Sequence, residues 1–272
     1  MLLKTKILSS IGLVILFQNS YSLELSLPKQ YSVKYFHNFG NIDGFVQIPR
    51  GGKDGSSSIR RPEFDEMGID NIDYPEIELK AKWEKISIYA ASKYITFDGN
   101  KTIDNDLITH NTYIPKNTKF DSSHEYTSYI FGAEYDYILS TKFKITPLVE
   151  FLIADFDYKF TGTIPNGNSI SSRRTFGWTS FRLGIASTYS FNEIYKLKLQ
   201  FKAALPVSKI KKEFNLALIN SFNLYKNGKN ELNLLAGIEY ENFEFRDSQD
   251  EMQNFMKHTI TPIYKIGLEY LF

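Results

Sequence analysis

Leu197, Leu199, Phe201, Ala203 and Leu205 alternate with Lys198, Gln200 and Lys202. A period of two puts one row of side chains on each face of a β-strand, whereas a helix would scatter both rows around its circumference. The pattern therefore dictates a strand with one apolar and one charged face, and it recurs along the chain. Ile77, Leu79, Ala81 and Trp83 oppose Glu78, Lys80 and Lys82; Tyr129, Phe131, Ala133, Tyr135 and Tyr137 oppose Ser128, Gly132, Glu134 and Asp136. Ile145, Val149, Phe151 and Ile153 oppose Thr146 and Glu150, while Phe181, Leu183, Ile185, Tyr189 and Phe191 oppose Ser180, Arg182, Gly184 and Thr188. Leu216, Leu218, Phe222 and Leu224 face away from Asn215, Ser221 and Asn223. An Asn227-Gly228 hairpin signal then leads into Leu232, Leu234, Ala236, Ile238 and Tyr240, set against Asn233, Gly237, Glu239 and Glu241. Two stretches are less regular: 32–48 changes phase near Gly40, and 86–97 alternates imperfectly, as a bulge near Ser92 would cause.

Such strands pack either as a soluble sandwich or as a closed barrel, and alternation alone does not choose. The N-terminus bears on the choice. Lys4 and Lys6 precede an apolar run from Ile7 to Phe17, followed by Gln18, Asn19 and a small-x-small ending at Ser20, Tyr21 and Ser22. This predicts a secretory signal over 1–22, cleaved after Ser22, because the apolar run is shorter than the roughly 20 residues that a spanning helix needs. The segment 23–272 contains no long apolar run, so a mature chain that crosses a membrane must do so with strands closed on themselves. The chain has 22 Phe and 18 Tyr, enough to girdle a barrel at two lipid interfaces. It has no Cys, which excludes disulfides, thiolate metal sites and a lipidated cysteine. A net charge of +1 leaves no basic field for nucleic acid.

The last strand decides the matter. Ile260, Pro262, Tyr264, Ile266, Leu268, Tyr270 and Phe272 share one face against Thr261, Lys265, Gly267 and Glu269, and the carboxyl-terminal residue is aromatic. Tyr264, Ile266, Leu268, Tyr270 and Phe272 resemble the C-terminal strand by which bacterial outer-membrane β-barrel proteins are handed to their insertion machinery. The resemblance implies an all-β fold: a single antiparallel transmembrane β-barrel of about ten strands, with eight to twelve admissible, set in the outer membrane of a Gram-negative-type cell. Short connections near Glu84, Ser140, Asn192 and Asn227 then face the periplasm, and long ones at 50–73, 98–123, 162–175 and 246–258 face outside. The stretch from Gly51 to Ser58 reads as flexible loop.

The interior face would carry Glu78, Lys80, Lys82, Glu134, Glu150, Arg182, Lys198, Lys202, Glu239, Lys265 and Glu269. Near-balanced signs in a barrel this small imply an ion-paired plug, with a charge-selective diffusion channel as the porin-like alternative. None of His37, His110, His124 and His258 has metal-ligand spacing, and no cofactor is implied. Asp98, Asn100, Thr102 and Asp104 are spaced like a calcium loop, but Ile103 and Thr109 stand where its turn glycine and closing glutamate belong.

A barrel of about ten strands also resembles the omptin surface proteases, which pair an Asp-x-Asp with an Asp-His across a rim cleft. Asp155 and Asp157, or Asp104 and Asp106, match the first pair; no Asp-x-His occurs, and His124 behind Asp121 is the nearest substitute. Lipid A deacylase barrels carry a His-x-Ser, which this sequence lacks. The expectation is a monomeric barrel in contact with outer-membrane lipid and lipopolysaccharide, acting structurally or by binding an extracellular ligand through its outer loops. The alternatives are a rim hydrolase using Asp155, Asp157 and His124, and a small diffusion channel.

Overall fold

A computed structural model describes residues 27–47, 62–110, 112–206, 209–247 and 255–272. The signal-peptide reading of 1–22 and the loop reading of Gly51 to Ser58 lie outside them. Ten long antiparallel strands form the wall: β1 (Gln30–Gln47), β2 (Asn71–Lys82), β3 (Ile86–Thr102), β6 (Lys119–Tyr135), β8 (Phe143–Thr163), β9 (Ser169–Ser190), β10 (Tyr195–Ala204), β11 (Ile210–Asn227), β12 (Asn230–Arg246) and β13 (Phe255–Leu271). A short pair, β4 (Leu107–Thr109) and β5 (Thr112–Ile114), sits between β3 and β6, and β7 (Tyr137–Ile138) continues β6 into the next turn. The sheet closes because β1 pairs with β13, and Tyr31 and Phe272 exchange backbone hydrogen bonds of 2.8 and 2.9 Å at the seam. Closure leaves the membrane-spanning stretch of the wall without an unpaired edge.

The wall has two storeys with opposite polarity. At the end bearing the short turns, outward residues form an apolar belt: Leu79 is 54% exposed, Phe131 54%, Ile185 49% and Ile266 54%. Behind them point Lys80, Glu150, Arg182 and Lys265. Toward the other end the faces exchange character. Phe97, Phe120, Phe156, Tyr158, Phe160 and Phe245 point inward and are buried, while Asp98, Asp121, Asp155 and Lys159 point out. Burying apolar side chains there stabilises that part of the wall from within.

This exchange corrects several sequence expectations. β1 does not change phase: even-numbered residues face inward from Ser32 through Asn38 to Ile42 and Val46. The apparent slip near Gly40 is the polarity of the two faces trading places. β3 is likewise regular, with unbroken register against β6 from Ile86↔Tyr135 to Thr102↔Lys119 and no bulge near Ser92. Its pattern looked imperfect because Ile95 and Phe97 face in while Ile86, Ile88 and Tyr94 face out. The real bulge lies in β13, where Thr261 and Pro262 stand against Asn41 on one side and Tyr240 on the other. The extra residue flips the phase. Ile260 therefore points inward, 2% exposed, and the lipid-facing row begins after the bulge. Segments expected to be loop are also strand: β8 and β9 stay paired out to Thr163↔Ser169, and β3 and β6 to Thr102↔Lys119.

Two inward turns fill the interior of the outer storey. The first is a 3₁₀ turn over Asp65–Met67, ended by Gly68 in the left-handed region (φ 78°), which drives Phe64, Met67 and Ile69 into the core. The second, between β3 and β6, contributes Ile103, Leu107 and Ile114, all 1% exposed or less. Lower down, the Tyr89 ring lies flat over Gly132, where a Cβ would collide with it. Gly132→Val is expected to displace the ring and cost about 1–3 kcal/mol, read as a lower urea midpoint of the folded barrel in detergent. An unchanged midpoint would contradict that packing.

Candidate functional site

The lower storey holds a charged interior with a cavity of about 390 Å³ among its side chains. It reaches Gln30, Glu231 and Leu271 at the short-turn end and meets Phe36, Ala91, Ile130 and Leu235 at the other. Alternation on each strand delivers the charges to this face, and register sets which of them meet.

Four groups result. Glu150, 1% exposed, accepts a hydrogen bond from Lys202 Nζ at 2.8 Å and from the Tyr89 hydroxyl at 2.6 Å. Arg182 approaches its Oε2 at 2.5 Å outside hydrogen-bonding geometry, so that contact is electrostatic, and donates to Glu213 at 3.0 Å. In the second group Lys265 Nζ donates to Glu239 at 2.8 Å and Glu76 at 2.9 Å, with Lys93 3.7–3.9 Å from Glu76, Glu239 and Glu241. The third links Lys34 to Glu78 (2.8 Å) and Glu269 (3.7 Å), and Lys80 to Glu134 (2.8 Å) and Glu78 (3.3 Å). Nearest the turns, Asp136 bridges Lys82 at 2.6 Å and Lys144 at 3.1 Å. Lys198 points into the same space and has no ion pair among the described residues.

Sequence reasoning missed Lys34, Glu76, Lys93, Asp136 as a bridge, and Glu213. Lys34 carried the needed signal, lying between outward Val33 and Tyr35. Lys93 did not, because its neighbours on the same face of β3, Ala91 and Ile95, are apolar.

The rim residues are not brought together. Asp155 and Asp157 point outward from β8 beside Glu125 and Thr175, around a shallow surface hollow. Asp157 pairs with the exposed Arg173 guanidinium. His124 faces the opposite side of the sheet and is fully buried. Its ring is stacked between Phe97, 4.9 Å away, and Tyr158, 4.3 Å away, in one cross-strand row of β3, β6 and β8. An imidazole enclosed by aromatic rings does not reach a carboxylate or a surface substrate.

His124 lies in the outer storey, beyond the apolar belt. Burial pushes its pKa down to about 3, and burial likewise pushes the Tyr158 hydroxyl up. The folded value lies below the unfolded one, about 6.5, so the unfolded chain binds the proton first. Stability from a neutral His124 is then complete above about pH 6.5 and falls as pH drops toward 3, by at most about 1.4 kcal/mol per pH unit. Protease resistance of the outer storey is expected to fall between pH 7 and pH 4, and His124→Phe is expected to flatten that dependence. Equal pH dependence in the variant would contradict it. Among the described residues no cluster of His, Asp and Glu is arranged to hold a metal.

Neither a protein-family model nor a curated protein sequence matches the chain. Solved structures resemble it in architecture. The outer membrane protease OmpT from Escherichia coli is 12% identical, with 93% of this chain and 100% of that chain covered and a TM-score of 0.45. The outer membrane protein OprG from Pseudomonas aeruginosa is 8% identical, with 90% and 97% covered and a TM-score of 0.40. Ail, the attachment invasion locus protein of Yersinia pestis, is 7% identical, with 89% and 98% covered and a TM-score of 0.34.

Proposed function

We propose that the protein is an integral, monomeric outer-membrane barrel with a closed interior, acting structurally or by binding partners through its outer storey and loops at the cell surface. The observation that carries this reading is the stacking of two fillings, ion pairs inside the apolar belt and an aromatic core above it. Lipid meets the belt, lipopolysaccharide meets the polar wall just beyond it, and the outward row of Tyr264, Ile266, Leu268, Tyr270 and Phe272 suits handling by the insertion machinery. The rim-hydrolase alternative draws no support from its named residues, because His124 and Asp155 lie on opposite faces of the wall.

The absence of native Cys makes an orientation test clean. In intact cells a membrane-impermeant maleimide is expected to label Lys159→Cys, and to label Glu84→Cys only after the outer membrane is opened. Labelling of Glu84→Cys alone in intact cells, or of both equally, would overturn the reading.

A further inference from the structure

β10 is much shorter than its neighbours, and among the described residues nothing continues its pairing with β9 along the outer storey. It stops at Ala204, opposite Arg182, and the connection that follows touches β9 last where the Leu205 N–H donates to the Phe181 carbonyl at 2.9 Å. β9 continues to Ser169, paired on its other side with β8 through Thr163. Over 169–179, then, described residues pair with β9 on one side only.

The geometry of the open side follows from that last bond. In an antiparallel strand, the N–H and C=O of one residue point the same way and alternate between neighbours. Since Phe181 bonds toward β10, so do Thr179, Gly177, Thr175, Arg173 and Ser171 point to that side, where no described backbone meets them. Among the described residues this is a row of backbone donors and acceptors without partners, at strand spacing. The floor beneath it is mixed. Ile170 and Phe176 face inward but are only partly buried, and Phe176 packs on Phe245 at 5.0 Å. Between them on the same inward row, Ser172 Oγ and Arg174 Nε are buried without a hydrogen-bond partner, and Arg174 follows Tyr158 in register. A buried guanidinium nitrogen left unpaired is costly, and a carboxylate satisfies it best.

We propose that residues 169–179 of β9 form an acceptor edge for an extended peptide of a partner protein, which adds as an extra strand. Its inward side chains are apolar where they cross Phe176 and carry a carboxylate where they cross Arg174. Backbone bonds supply the affinity and the inward pockets supply the selectivity. The inference rests on the reading of the outer storey as exposed at the cell surface, and it gives that surface a partner class.

The test uses the full barrel in detergent and a fluorescent seven-residue peptide, Thr-Val-Thr-Glu-Thr-Val-Thr, with Gln or Lys replacing Glu as controls. Anisotropy is expected to show binding of the Glu peptide, at least about tenfold weaker binding of the Lys peptide, and new amide-exchange protection at 173, 175 and 177. Thr175→Pro removes one open-side N–H without touching the ladder to β8 and is expected to weaken binding about fivefold. Should that variant fold poorly, Arg174→Gln is expected to abolish the preference for Glu over Lys. Equal binding of the Glu and Lys peptides, no binding of either, or protection of the same amides without peptide would each overturn the proposal; the last would mean that the edge is already covered by this chain or a second copy. Maleimide labelling of Lys159→Cys in intact cells separates failure of this inference from failure of the surface reading, since labelling with no peptide capture sinks the inference alone.

Discussion

Glu150→Ala is expected to destabilise the barrel by about 3–5 kcal/mol, the range for removing one partner from a buried ion cluster. Glu150 is the anion shared by Arg182 and Lys202, and it accepts the Tyr89 hydroxyl. Its removal leaves two cations in a confined interior, with Glu213 the remaining carboxylate in contact with Arg182 and, among the described residues, none left in contact with Lys202. The cost is in the abandoned partners more than in the lost bonds, so Glu150→Gln, which still accepts from Tyr89, is expected to lose less. Urea unfolding in detergent, followed by the gel-mobility difference between folded and unfolded barrel, measures both. A midpoint unchanged in Glu150→Ala would show that the charges do not act as a cluster.

Tyr158→Ala is expected to cost about 3–5 kcal/mol in the other storey, as large-to-small changes of buried aromatics do. Tyr158 is fully buried, stacks on His124 at 4.3 Å, meets His110 edge-on at 4.7 Å and donates its hydroxyl to Met67 Sδ at 3.3 Å. It joins the wall to both inward turns, so the loss is expected to fall on them. Amide exchange is expected to quicken at 64–69 while the belt strands keep their protection. Tyr158→Phe keeps the stacking and is expected to lose under about 1 kcal/mol. Uniform destabilisation of both storeys by Tyr158→Ala would contradict their separate packing.

How far the fold could be read from the residues depended on which storey a segment occupies. β10 lies largely inside the belt, and its alternation gave strand, faces and period at once. β1, β3 and β13 cross the boundary where inward residues turn from charged to aromatic, so a reader following hydropathy sees a phase error in β1, a bulge in β3 and one long apolar row in β13. The first two are changes of surroundings on an unchanged strand. The third hides a true bulge at Thr261 and Pro262. The same inversion hid the role of His124, since a lone His among Ser123, Asp121 and Glu125 looks like a surface residue when its own side chain is the inward one. The charged face was legible strand by strand, but the pairing of Lys265 with Glu76, far apart in sequence, follows from closure and register.

The most direct test of a barrel filled in both storeys is conductance of the purified protein in planar bilayers. The structure predicts a flat baseline with no resolved opening steps at any polarity, because ion pairs occupy the interior within the belt and aromatic rings occupy it above. Stable, reproducible steps from the unaltered protein would show a continuous aqueous path and contradict the closed barrel.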